Sequence, residues 1–241
     1  MDRSQYLEAL AVESAAFDEA VSACPLSAPV PSCPEWTVAD LVYHLGGVHR
    51  FWAAVVAQRL SSPSGVERPL RPPPEDLVAW SREQASALQA ALAGAEPATP
   101  VWTWAAQQDV GFVDRRMAQE TAVHRWDAQL AAGAPEPIDP ALASDGVDEF
   151  LTVMVADPRF TRPIGGSVHL HATDTPGEWL VTDGDDGAVL VTREHAKGTV
   201  ALRGPADRLL LALWGRLPLE DLEIIGERSV AERLLARTSS G

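Results

Sequence analysis

The hydrophobic period of this chain changes once, near Ala156-Asp157-Pro158, from about 3.6 residues to about 2, and that change excludes most architectures. Before it, apolar residues recur at helical spacing. Leu7, Leu10, Ala11, Ser14 and Phe17 mark a helix within residues 2–23, which stops at the stretch from Pro25 to Pro34. Thr37 caps a second helix with Asp40 three residues on, a shortened capping box, and Leu41, Val42, Leu45, Val48 and Trp52 form its apolar stripe. The Pro- and Ser-rich segment from Ser61 to Pro74 reads as a connection. A third helix is predicted from Glu75 to Ala93 and ends at Gly94. A fourth runs from about Val113 to Ala132 before Gly133 and Pro135, and a fifth from Pro140 to Val155.

After the change the pattern alternates. Val168, Leu170 and Ala172 point one way while His169, His171 and Thr173 point the other. Residues 179–182, 188–192 and 199–203 continue as strands, with Gly184-Asp185-Asp186-Gly187 as a turn, so an antiparallel sheet is predicted. A helix from Pro205 to Trp214, a short strand at 223–225 and a terminal helix from Ser229 to Arg237 complete it. The predicted class is α+β with segregated elements: an antiparallel bundle of four or five helices over residues 1–156, then a small α+β domain over 159–241.

Charge narrows the partners. A formal net charge of −15 repels phosphate backbones and anionic membranes, so neither nucleic acid nor a membrane is expected as a partner. The Met1-Asp2-Arg3-Ser4-Gln5 start leads into an amphipathic helix, and no apolar run approaches the ~20 residues that span a bilayer, so a cytoplasmic protein is expected. Cys24 and Cys33 match no zinc-knuckle spacing and read as free thiols near a loop.

Chemistry concentrates in Gln119-Glu120-Thr121-Ala122-Val123-His124-Arg125-Trp126-Asp127. Glu120 and His124 are four residues apart, which stacks them on one helix face. His44, from the second predicted helix, is a candidate third donor. Two imidazoles and one carboxylate hold zinc while leaving its fourth position free, the arrangement of catalytic rather than structural zinc. Glu and His at this spacing also occur on helices that bind nothing. Asp127 follows Glu120 by seven residues, near the same face; it is either a group that orients a ligand or a solvated helix carboxylate. His49 lies about 140° around the helix from His44, which makes it a surface residue or a group behind the ligands. His169 and His171 share a strand face, a possible pair site or exposed polar alternation. Arg125 faces elsewhere on its helix, and Trp126 and Trp52 read as core.

Taken together, Trp36-Thr37-Val38-Ala39-Asp40-Leu41-Val42-Tyr43-His44-Leu45, then Glu120 to Asp127, then Leu213-Trp214-Gly215-Arg216, resemble the mycothiol-dependent maleylpyruvate isomerase family over nearly the whole chain. The resemblance implies a DinB-like metal-binding bundle followed by a sterol-carrier-like domain, with zinc held at His44, Glu120 and His124. It implies mycothiol as cofactor, whose thiolate adds to the double bond of a small electrophile such as maleylpyruvate. Rotation about the resulting single bond and elimination then return the thiol. If the adduct leaves without elimination, the same site is a mycothiol S-transferase. A third reading is a non-catalytic protein that holds an apolar ligand in its C-terminal domain. The resemblance also points to a C-terminal arginine for the substrate carboxylates, Arg216 first and Arg203 second, whose planar fork suits them. Arg216 can equally bind the last carbonyls of the preceding helix. Asp127 is a candidate contact for the polar part of mycothiol.

Overall fold

A computed structural model describes residues 1–238 and divides the chain into two compact units, Met1–Pro137 and Ile138–Gly241. The last three residues of the predicted second domain lie outside the described residues.

In the first unit, α1 (Arg3–Ser22), α2 (Val38–Ala57), α3 (Pro74–Ala93) and α4 (Val110–Ala131) pack with α2 against α3 and α1 against α4. Local chemistry fixes the starts. Asp2 accepts from Gln5 N and Thr37 from Asp40 N, each returning a bond to the cap backbone, and Asp109 accepts from Phe112 N. Phe17, Val38, Leu41, Leu45 and Leu77 form the apolar interior, each side chain contributing roughly 1.5–3 kcal/mol on burial. The contact of α2 with α3 closes at Gly46, where a Cβ would lie 2.4 Å from the Trp80 ring. That close approach fixes the helix that carries His44. α4 ends at Gly133, whose φ of 80° suits only glycine without strain.

The fifth predicted helix belongs to the second unit rather than to the bundle. α5 (Pro140–Glu149) runs on into a π-helical turn, Phe150–Val155, and packs on α6 (Ala206–Leu213). The break between the units therefore precedes the change of period, because α5 buries its apolar stripe in the second unit's core. The sheet there comprises β1 (Ser167–Ala172), β2 (Glu178–Asp183), β3 (Val189–Thr192), β4 (Val200–Gly204) and β5 (Glu223–Gly226), in the order β3-β2-β1-β4-β5. α7 (Arg228–Thr238) packs on β1 and β4. The sheet is not wholly antiparallel as predicted: β4 runs parallel to β1. Alternation reports which face a residue takes but not the direction of its partner strand, and here the connection after β3 reverses the expected sense.

Candidate active site

α4 is buried nearly all round, and its inner surface carries Asp114, Arg116, Gln119, Thr121, His124, Arg125 and Asp127. Such a helix is stable only where each polar group finds a partner. Around Glu120 the partners form a donor set. Glu120 Oε1 lies 3.4 Å from His44 Nε2 and 3.3 Å from His124 Nε2, and the three donor atoms lie within 4.8 Å of one another. Tetrahedral zinc with bonds of about 2.0–2.2 Å separates its ligand atoms by about 3.4 Å, so the two measured separations fit one ion.

The surroundings aim these atoms. His124 Nδ1 donates to Asp127 Oδ2 at 2.9 Å, and Ser32 Oγ donates to Asp127 Oδ1 at 2.5 Å. Asp127 thereby holds the Nδ1 proton, so Nε2 is the ring atom that faces Glu120 and offers a lone pair to a metal once its own proton is displaced. Arg116 donates to Glu120 Oε2 at 3.1 Å, so only Oε1 faces the imidazoles. Trp36 packs on both rings, its centroid 4.8 Å from that of His44 and 6.3 Å from that of His124. Asp127 is itself wholly buried (0% exposed), which removes it as a contact for a bound thiol and leaves it beneath His124.

His49 is buried as well, and is not a surface residue. Thr121 Oγ1 donates to the Met117 carbonyl, so it accepts the Nε2 proton of His49 at 2.9 Å, and the bare His49 Nδ1 has no partner among the described residues. Burial above all, with His124 and His44 nearby, depresses its pKa to about 4 against the opposing charge of Glu120.

For His124, burial acts against the charged form, but hydrogen bonds to Asp127 and Glu120 and their charges prevail and raise its pKa to about 9. Burial likewise opposes ionisation of Glu120, yet hydrogen bonds from His124 and His44 hold its carboxyl well below the usual range. A pKa raised from 6.5 to about 9 contributes stability to the metal-free protein that is complete below 6.5 and lost as pH rises through about 9. A metal ligated by Nε2 must displace that proton. Zinc affinity of the metal-free protein is therefore expected to rise about tenfold per unit between pH 7 and 8, with one proton released per ion by calorimetry in buffers of different ionisation enthalpy. Affinity independent of pH would remove His124 from the ligand set.

A cleft of about 680 Å³ opens at the exposed edge of His44. Its wall includes Trp36, Tyr43, Arg50, Arg68 and Arg71. The guanidinium carbons of Arg68 and Arg71 lie 5.6 and 5.4 Å from the Tyr43 ring centroid. Sequence reasoning treated this segment as a connection only. The signal was present: two arginines three residues apart in a proline-rich run fall on one side of a polyproline helix, which has three residues per turn.

The remaining candidates belong to the second unit. Arg216 donates to the Trp214 carbonyl at 2.9 Å, and Arg203 pairs with Glu223 at 2.5 Å on an exposed edge. Trp52 and Trp126 are core, and neither Cys24 nor Cys33 is in a disulfide. No helix among the described residues is long and apolar enough to cross a membrane.

Comparison with known proteins agrees with this architecture. The family model of the mycothiol maleylpyruvate isomerase N-terminal domain matches residues 7–129, and that of the MDMPI C-terminal domain matches residues 141–233. Among solved structures, the chain is similar to a crystal structure of the mycothiol-dependent maleylpyruvate isomerase, at 14% identity and a TM-score of 0.60. It is similar also to a histidine-to-alanine mutant of that enzyme, at 12% identity and a TM-score of 0.62. Each alignment covers 94% of this chain and 95% of the other. At such identities the likeness is one of fold. None of the curated proteins compared matches the chain.

Proposed function

The chain belongs to the mycothiol maleylpyruvate isomerase family through both of its domains, and from that membership we propose a zinc enzyme that uses mycothiol to isomerise a small cis enone acid, maleylpyruvate or a relative. The observation that carries this reading is the convergence of His44, Glu120 and His124 at separations fitting one zinc ion beside an open cleft. Ion and thiol, when bound, supply a thiolate at neutral pH whose reversible addition to the double bond permits its rotation.

The residues of the chain hold and orient. Asp127 keeps the Nδ1 proton on His124, Ser32 keeps Asp127 in place, and Arg116 confines Glu120 to one donor oxygen. Trp36 packs against both imidazoles and holds their rings in place. Arg68 and Arg71 stand against Tyr43 on the cleft wall, Arg71 paired with Asp40 at 2.6 Å, which leaves Arg68 as the proposed cation there for an acidic substrate.

Arg216 is proposed as the partner of the substrate carboxylates, with Arg203 second. Arg216→Ala is then expected to raise KM at least about tenfold, the effect of losing one charge-assisted hydrogen bond of ~1.5–3 kcal/mol, with zinc content unchanged. Loss of zinc in that variant would make Arg216 structural.

The reaction is tested by incubating the protein with maleylpyruvate and substoichiometric mycothiol. Formation of fumarylpyruvate in excess over thiol, with the thiol conserved, supports the isomerase. Consumption of one thiol per substrate supports the S-transferase, and no turnover with any enone acid supports the non-catalytic reading.

A further inference from the structure

β3 and β4 run in the same direction but lie on opposite sides of β2 and β1. At about 4.8 Å per strand, residues 193–199 must therefore step about 14 Å sideways across one face of the sheet. The helices α6 and α7 pack on this sheet, and Val168, Leu170 and Ala172 of β1 are buried. His169 and His171 alternate with them on the other face.

Cross-strand register puts His171 opposite Glu178, which places that carboxylate on the face of the two histidines. The crossing segment carries His195 to the same spot. Glu178 Oε2 lies 3.0 Å from His169 Nε2 and 2.5 Å from His195 Nδ1, and Glu178 Oε1 lies 3.3 Å from His171 Nδ1. The three rings stand edge to face, with centroids 5.3 to 6.4 Å apart, and one donor atom from each of the four residues lies within 4.8 Å of the others. His169 is buried and His195 exposed, so the cluster has a buried floor and a solvent-facing rim.

We propose that His169, His171, Glu178 and His195 form a second metal site, which takes a divalent transition-metal ion and zinc above all. Three imidazoles select such an ion over calcium or magnesium, which take oxygen ligands. Four protein donors fill a tetrahedral ion, so this site is structural and has no open position for substrate. Ligation ties segment 193–199, through His195, to β1 and β2. It fastens the one connection that makes the sheet mixed.

The test is a zinc count on tag-free full-length protein equilibrated with zinc and desalted. Wild type is expected to hold two ions per chain, His195→Ala one, His124→Ala one, and the double variant none. His195 is exposed, so its loss leaves the fold intact, and zinc affinity at this site is expected to fall at least about a hundredfold. In the His124→Ala protein zinc is expected to raise Tm, and in the double variant to leave it unchanged. One ion in wild type that His195→Ala retains would overturn the second site. So would two ions retained by both His195→Ala and Glu178→Gln. Retention of both ions by His124→Ala bears on the first site alone.

Discussion

Replacing His124 by alanine is expected to abolish zinc binding at the bundle site and, with it, turnover. His124 Nε2 is proposed as one of three donors at a site where the carboxylate offers a single oxygen, so two would remain, and the fixed Nδ1–Asp127 bond that aims the ring is lost as well. Loss of a group that merely orients a ligand costs about 10–100-fold in metal affinity or activity. Loss of the ligand itself is expected to exceed that range, leaving no zinc after desalting. Asp127→Asn serves as the graded companion: it keeps the shape, removes the charge behind His124, and is expected to fall within the 10–100-fold range. Zinc counts and kcat/KM measured on both variants, with circular dichroism as the control for folding, check the order. Full activity in His124→Ala would remove the ion from the chemistry.

The largest effect on stability is expected at the neighbouring position. Arg125 is buried, and its guanidinium donates to Glu13 at 2.6 Å, to Gln129 and the Glu136 carbonyl at 2.7 Å each, and to the Pro137 carbonyl at 3.2 Å. It joins α1, α4 and the end of the first unit through one side chain. Arg125→Met leaves Glu13, itself buried, as an uncompensated charge, and removes the donor to two carbonyls. Breaking a buried pair in this way costs roughly 3–5 kcal/mol, a large part of the 5–15 kcal/mol that holds an ordinary domain. Urea unfolding is expected to show that loss, and the paired replacement of Glu13 by leucine to recover much of it. A loss under about 1 kcal/mol would mean that water already satisfies Glu13. Within one helical turn, His124 is thus proposed to serve the metal, Arg125 serves the bundle and Asp127 fixes His124.

The helices and the start of α2 were legible because capping and the 3.6-residue period are local, whereas α4 begins three residues earlier than read, on its Asp109 cap. Thr37 with Asp40, and Gly133 after α4, needed nothing distant. The three candidate donors were legible for the same reason in two cases, since Glu120 and His124 share a turn; His44 came from the family resemblance and its own predicted helix. What was not legible was long-range. The Asp127–Ser32 bond joins residues far apart in the chain, and the same distance hid the burial of His49. α5 read as a bundle helix because periodicity says that a face is buried, not in which core. Strand direction failed on similar grounds: β4 beside β1 depends on a crossing segment whose sequence carries no turn signal for it. That same crossing turned His169 and His171 from a weak pair into a four-residue cluster, through Glu178 and His195, which no spacing rule connects.

In the proposed function the bundle site presents a metal ion to a thiolate. This is tested most directly by replacing zinc with cobalt(II) and recording the ultraviolet and visible spectrum as mycothiol is added. A sulfur-to-cobalt charge-transfer band is expected that grows to one thiol per chain in wild type and is absent in His124→Ala. No band in the wild type, or an equal band in the variant, would contradict it.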